Sequence, residues 1–168
     1  MKLTVWLGLI LLGFALNAVA LNVGDRAPDF TASATDGPVS LAVLKGKWVV
    51  LYFYPKAFTP GCTKESCAVR DGYASIRKMN AVVYGVSLDR LVTQRKFKEE
   101  YKLPFELISD EGKQMATAYG VLGMGGLYAR RVTFLLNPEG KIAAILENVD
   151  VARHDQEITA ALTALKKP

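Results

Sequence analysis

The stretch from residue 48 to residue 71 constrains the fold of this chain more than any other. It opens with seven apolar residues, WVVLYFY, a run typical of a β-strand buried on both faces. Pro55 follows, and because proline has no backbone N–H it cannot continue the hydrogen-bond ladder of a sheet. A Thr-Pro-Gly turn at 59–61 comes next. We predict a helix over about residues 60–79.

Cys62 lies where this helix begins. The free amides and the positive dipole end of a helix favour a thiolate over a thiol. The common alternative role of a lone cysteine is a small apolar filler, but a polar turn at the end of a core strand is a poor place for one. The position therefore predicts that Cys62 is a nucleophile.

Cys67 follows five positions later. Five residues along an ideal helix separate the two Cα atoms by roughly 8 to 9 Å. A disulfide needs Cα atoms within about 7 Å. If both residues are helical in the reduced protein, they can pair only after the first turns unwind. The spacing argues against a permanent structural bond and favours one that forms and breaks during function.

Pro55, Thr59 and Cys62 form a P-x-x-x-T-x-x-C pattern after an apolar strand, which resembles the signature of the peroxiredoxins. Cys67 is similar to the resolving cysteine of their bacterioferritin-comigratory or Q-type subgroup. The likeness extends over nearly all of the chain after residue 20, including R-V-T-F-L-L-N-P-E-G-K at 131–141.

The resemblance implies a thiol-dependent peroxidase that reduces hydrogen peroxide and organic hydroperoxides. It also implies a thioredoxin-like or glutaredoxin-like protein as reductant, no cofactor or metal, and a monomer. Cys62 would attack the peroxide and become a sulfenic acid, which Cys67 would convert into a disulfide. Thr59 would place its hydroxyl against a peroxide oxygen, with helix capping as its alternative role. Pro55 would fix the turn and shield the pocket from water.

The family pattern has an arginine two residues before T-F in a late strand, and Arg131 fits it. Neighbouring strand residues point to opposite faces, so we expect Arg130 to face solvent. Glu65, one helical turn after Cys62, is either the partner that orients Arg131 or a plain acid in the first turns of the helix.

Other polar residues are assigned simpler roles. We expect Arg70 and Asp71 to pair at the surface, and His154 to be solvated or to cap the final helix. The glycine-rich loop 123–126 lacks the lysine of a phosphate cradle and is read as a lid or a connection.

The remaining pattern predicts an α/β fold in one domain, residues 21–168. A second central strand at 81–87 implies a right-handed parallel crossover from the first. The further elements are an N-terminal hairpin around 36–38, a helix capped by Asp89 and ending at Tyr101, a strand at 104–109, a helix capped by Asp110 and ending at Gly120, a hairpin of 132–136 and 142–146, and a helix at 155–165. Together they resemble a thioredoxin fold, a mixed central sheet flanked by helices, with an N-terminal β-hairpin extension.

Residues 1–20 have the order of a secretory signal peptide. Lys2 precedes an apolar run from 3 to 16, and Ala18-Val19-Ala20 forms a small-x-small cleavage site. The run is shorter than the about 20 residues that span a bilayer comfortably. We expect cleavage after Ala20 and a periplasmic or secreted protein with no stable membrane association. An uncleaved anchor is the alternative.

Charge gives little support to nucleic acid as a partner. The net charge of +5 is spread along the chain without a dense basic cluster interleaved with aromatic residues.

Two other functions fit parts of the sequence. An exported thiol–disulfide oxidoreductase would normally carry C-x-x-C, whereas the two cysteines here are spaced C-x4-C. A secreted domain without enzymatic activity would use Cys62 and Cys67 as a structural disulfide, which the helical spacing disfavours.

The cysteine spacing leads to a prediction about helix stability. Oxidation of Cys62 and Cys67 to a disulfide should raise amide hydrogen exchange in residues 60–68, because the first turns must unwind. Exchange measured by mass spectrometry on the reduced and oxidised protein tests this, and equal protection in both states would refute it.

Overall fold

A computed structural model describes residues 20–167 of the chain. The predicted signal peptide, residues 1–20, lies outside the described residues apart from Ala20. No helix within residues 20–167 has the length and apolar character needed to cross a membrane.

The described residues form one seven-stranded sheet with four α-helices. The strands are β1 (Thr31–Ala34), β2 (Gly37–Ser40), β3 (Trp48–Phe53), β4 (Ala81–Ser87), β5 (Glu106–Ser109), β6 (Val132–Leu136) and β7 (Ile142–Leu146). The helices are α1 (Pro60–Lys78), α2 (Leu91–Glu100), α3 (Gln114–Ala118) and α4 (His154–Leu165), with short 3-10 turns at Leu41–Leu44 and Met124–Gly126. The strand order is β2-β1-β5-β4-β3-β6-β7. The predicted fold class is confirmed.

Strand β3 lies inside the sheet, as its apolar run predicts. It pairs in parallel with β4 and antiparallel with β6. The β3-α1-β4 crossover is therefore the predicted parallel connection. The strand ends at Phe53, one residue before the end of the apolar run, and the N–H of Tyr54 still bonds the carbonyl of Val86 at 3.0 Å.

Alternate residues of β3 supply the two hydrophobic cores. Val49, Leu51 and Phe53 face the core that contains α3 and the N-terminal segment. Val50 and Tyr52 face the core that contains α1, α2 and α4. Burial of both faces explains why this strand has no polar residue.

The predicted cap of α2 is wrong. The helix begins at Leu91, and the carboxylate of Asp89 instead accepts hydrogen bonds from the N–H of Ala57 at 2.8 Å and from the hydroxyl of Ser87 at 2.7 Å. Asp89 thus ties the turn after β3 to the end of β4. Asp110 stabilises the start of α3 from outside the predicted position: Lys113 is the N-cap residue, and the carboxylate of Asp110 accepts from the N–H groups of residues 115 and 116.

Helices α1 and α4 approach closely at Gly72. A Cβ atom at this position would lie 2.4 Å from the Cβ of Asp155. Only a residue without a side chain allows this contact, which fixes the start of α4 against the middle of α1.

We predict that Gly72→Ala lowers the free energy of unfolding by about 1–3 kcal/mol, the usual cost of overpacking. At an open helix position the same change would instead raise it by up to about 1 kcal/mol. Urea unfolding measures the difference, with Ala74→Gly at an exposed position of α1 as the control for helix propensity. A stabilised Gly72→Ala variant would show that the two helices are not in tight contact.

Candidate active site

Cys62 is the third residue of α1 and is buried, with 1% of its surface exposed. Pro60, the first helical residue, has no N–H to satisfy, and Thr59 before it has an extended backbone. The thiol therefore lies at the positive end of a 19-residue helix, as predicted.

Arg131 is the cation beside this thiol. Its Nη2 donates to the Sγ of Cys62 at 3.3 Å. Arg131 directly precedes β6, and the antiparallel pairing of Val132 with Phe53 brings it to the end of β3, where α1 begins shortly after. A guanidinium at this distance is placed to stabilise negative charge that develops on the atoms reacting at the sulfur.

Glu65 holds the same guanidinium from the other side. Its Oε2 forms an ion pair with Nη1 of Arg131, and its side chain has no exposed surface. A buried carboxylate needs such a countercharge because it has lost its contact with water. Of the two roles considered from the sequence, the structure favours the partner of Arg131 over a plain acid in the first turns.

His154 is placed differently from the prediction. It is fully buried rather than solvated, and its ring packs edge-on against Tyr52 with centroids 5.9 Å apart. Its Nδ1 lies 3.1 Å from Oε1 of Glu65, and its Nε2 lies 3.0 Å from the hydroxyl oxygen of Thr133.

Burial keeps this imidazole uncharged. The pKa of His154 is lowered to about 4, mainly by loss of hydration and in part by the charge of Arg131, against the opposing effect of Glu157 and Asp155. Sequence reasoning missed the residue, although a signal was present. His154 lies one turn before Ile158 on the stripe that continues to Leu162, and all three are buried.

Thr59 and Pro55 belong to the turn that leads into the thiol. The Thr59 hydroxyl makes no capping bond and donates to the carbonyl of Lys56 at 2.8 Å. Its hydrogen is thus engaged, which leaves the oxygen able to accept from a ligand. Pro55 is partly buried at the end of β3. Phe58 has a positive φ of 65°, unusual outside glycine, and its ring packs on Phe97 with centroids 5.1 Å apart.

Cys67 is partly buried in the same helix as Cys62, and both thiols are free. Both cysteines are helical, which is the condition under which their spacing along the helix is too long for a disulfide. A bond between them requires the start of α1 to open, and this opening stays a prediction.

The remaining candidates form no hydrogen bond or ion pair with Cys62, Glu65 or Arg131. Arg70 pairs with Asp71 at 2.9 Å on the surface, as predicted. Arg130 is exposed and donates to the carbonyl of Gly120. The glycine-rich loop contains the turn Met124–Gly126, and Met124 in it and Leu127 directly after it are strongly exposed apolar residues.

Comparisons with known proteins agree with this geometry. The family described as AhpC/TSA matches residues 23–145. The chain is 40% identical over 151 residues to a putative peroxiredoxin bcp of Coxiella burnetii, covering 86% of this chain and all of the relative. It is 38% identical over 155 residues to peroxiredoxin Bcp of Bacillus subtilis, covering 88% and 97% of the two chains.

Solved structures of a peroxidoxin and a peroxiredoxin have the same fold as this chain. Peroxidoxin BcpB of Mycobacterium tuberculosis superposes with a TM-score of 0.80 at 33% identity, covering 88% of this chain and 99% of the other. Peroxiredoxin Q of Xanthomonas campestris superposes with a TM-score of 0.78 at 33% identity, covering 88% and 98%.

The contact between Arg131 and Cys62 leads to a paired prediction. Arg131→Ala should slow oxidation of Cys62 by hydrogen peroxide about 100-fold or more, the usual effect of losing a charged donor aimed at a reacting centre. Stopped-flow fluorescence or competition kinetics measures the rate constant.

Arg130→Ala is the matched control. Its side chain is exposed, so the rate constant should change by no more than about twofold. If Arg130→Ala proved the slower variant, Arg130 and not Arg131 would be the cation that serves the thiol.

Proposed function

The chain belongs to the AhpC/TSA family and is a thiol peroxidase of the peroxiredoxin Bcp and Q kind, and from this premise we propose how its own residues carry the reaction. Cys62 is the thiol that peroxide oxidises, Cys67 is the thiol that resolves the product, and hydrogen peroxide and organic hydroperoxides are the substrates. The observation that carries the proposal is the buried sulfur of Cys62 at the positive end of α1 with Nη2 of Arg131 3.3 Å away.

In the first step the Cys62 thiolate attacks one peroxide oxygen and the O–O bond breaks. The sulfur becomes a sulfenic acid, and the other oxygen leaves as water or an alcohol after taking up a proton. Arg131 stabilises the negative charge that develops on the two oxygens. The Thr59 oxygen accepts the hydrogen of the peroxide and fixes the line of attack.

In the second step the Cys67 thiol attacks the sulfenic sulfur, which forms a disulfide and releases water. The sequence contains two cysteines, so Cys67 is the thiol within the chain that can do this. The start of α1 opens to bring the sulfurs together. A dithiol protein of the thioredoxin or glutaredoxin type then reduces the disulfide and becomes oxidised itself.

The features of residues 1–20 support export, and we propose that this peroxidase works in the periplasm or outside the cell. Its reductant would then be a thiol protein of that compartment, because cytosolic thioredoxin does not reach it.

Thiol loss after mixing tests the proposal. Reduced protein with one equivalent of hydrogen peroxide should lose both thiols rapidly and end as a monomer lighter by two hydrogen atoms, as mass spectrometry would show. Cys62→Ser should abolish the fast phase. Cys67→Ser should stop at a sulfenic acid that dimedone traps. Slow thiol loss in the wild-type protein, no faster than in Cys62→Ser, would overturn the assignment of Cys62.

A further inference from the structure

Glu65 uses its two carboxylate oxygens differently. Oε2 pairs with Arg131, whereas Oε1 faces Nδ1 of His154 at 3.1 Å. Both Oε1 and Nδ1 are buried, and neither has an aligned hydrogen-bond partner among residues 20–167. A buried carboxylate oxygen without a donor is costly. The ring nitrogen facing it is the group placed to satisfy it after a small rotation.

The surroundings select the protonation state of the ring. Glu65 and Arg131 face it from other elements, and Asp155 and Glu157 lie on its own helix. Burial keeps the imidazole neutral at pH 7, so only one ring nitrogen carries a hydrogen. A lone pair on Nδ1 would repel the carboxylate, which places the hydrogen there. The Thr133 hydroxyl then donates to Nε2 at 3.0 Å.

The ring is itself firmly held. Thr133 lies fully buried in β6, and Tyr52 of β3 packs against the ring edge. The close contact of Gly72 with Asp155 fixes the first turn of α4, where His154 lies. A neutral donor in this place orients Glu65 without competing as a second positive charge for its pairing with Arg131.

We propose that His154 is a positioning residue of the peroxidase site, which orients Glu65 and, through it, the guanidinium of Arg131 that reaches Cys62. The inference rests on the proposed function of Cys62. It assigns a role to a side chain that touches neither the thiol nor the peroxide.

Three substitutions of His154 distinguish the role of Nδ1, which faces Glu65, from the role of Nε2, which faces Thr133. His154→Asn places an amide donor where Nδ1 stands and keeps the contact with Glu65. His154→Gln places its amide near Nε2 and keeps only the contact with Thr133. His154→Leu fills the space without a polar atom. Each is made in a Cys67→Ser background, so that Cys62 is the one thiol that reacts.

Two measurements read the site. The pH profile of Cys62 alkylation by iodoacetamide gives the pKa of the thiol without peroxide, and the rate constant with hydrogen peroxide reports the reaction. A misplacement of about 1 Å can cost about 100-fold in rate. We therefore expect His154→Gln and His154→Leu to react with peroxide roughly 10-fold to 100-fold more slowly, with the alkylation profile shifted to higher pH. His154→Asn should keep a rate constant with peroxide and an alkylation profile close to those of the parent protein with His154.

Equal behaviour of the Asn and Gln variants, or an alkylation profile that does not move in either, would overturn the proposal. Urea unfolding of each variant detects a purely structural role, in which stability falls while the profile stays. Should His154→Leu fail to fold, the Asn and Gln pair decides alone. A parent protein that is alkylated normally but ignores peroxide would contradict the proposed function, and the alkylation profiles would still test the role of His154.

Discussion

The ion pair between Glu65 and Arg131 is the interaction on which the site depends. A carboxylate with no exposed surface is tolerated because a guanidinium meets it, and removing one partner of such a pair commonly costs about 3–5 kcal/mol. The pair joins α1 to the segment before β6. It also leaves the second nitrogen of the guanidinium free to reach the sulfur, so that Arg131 contacts both the buried carboxylate and the thiol.

The sheet explains why these partners meet. The end of β3 lies opposite the beginning of its antiparallel neighbour β6, which places Arg131 beside the turn that starts α1. The parallel neighbour β4 ends at the same edge, and Asp89 just after it holds the turn through the N–H of Ala57. Three segments distant in sequence thus define one small site.

Most helices, strands and turns could be predicted from the sequence, because each depends mainly on residues that are neighbours in the chain. The apolar run of β3, the turn before α1 and the hairpin of β6 and β7 follow from neighbouring residues. The role of Asp89 could not be predicted in this way, since its partner Ala57 is 32 residues away. The burial of His154 could have been predicted from the apolar stripe that it shares with Ile158 and Leu162. Its partners Glu65 and Thr133 could not, because they are distant in sequence.

Glu65 lies between the two cysteines along α1, and this position links the two half-reactions of the proposed cycle. In that cycle, unwinding of the segment between the two sulfurs would also withdraw the Glu65 carboxylate from Arg131. A stronger Glu65–Arg131 ion pair would speed the oxidation of Cys62 by the first peroxide molecule but would delay formation of the disulfide with Cys67. During that delay a second oxidant molecule can carry the sulfur on to sulfinic acid, which is irreversible without a dedicated repair enzyme. In the proposed cycle, the strength of the Glu65–Arg131 ion pair would therefore set a compromise between the rate of turnover and the rate of inactivation by overoxidation.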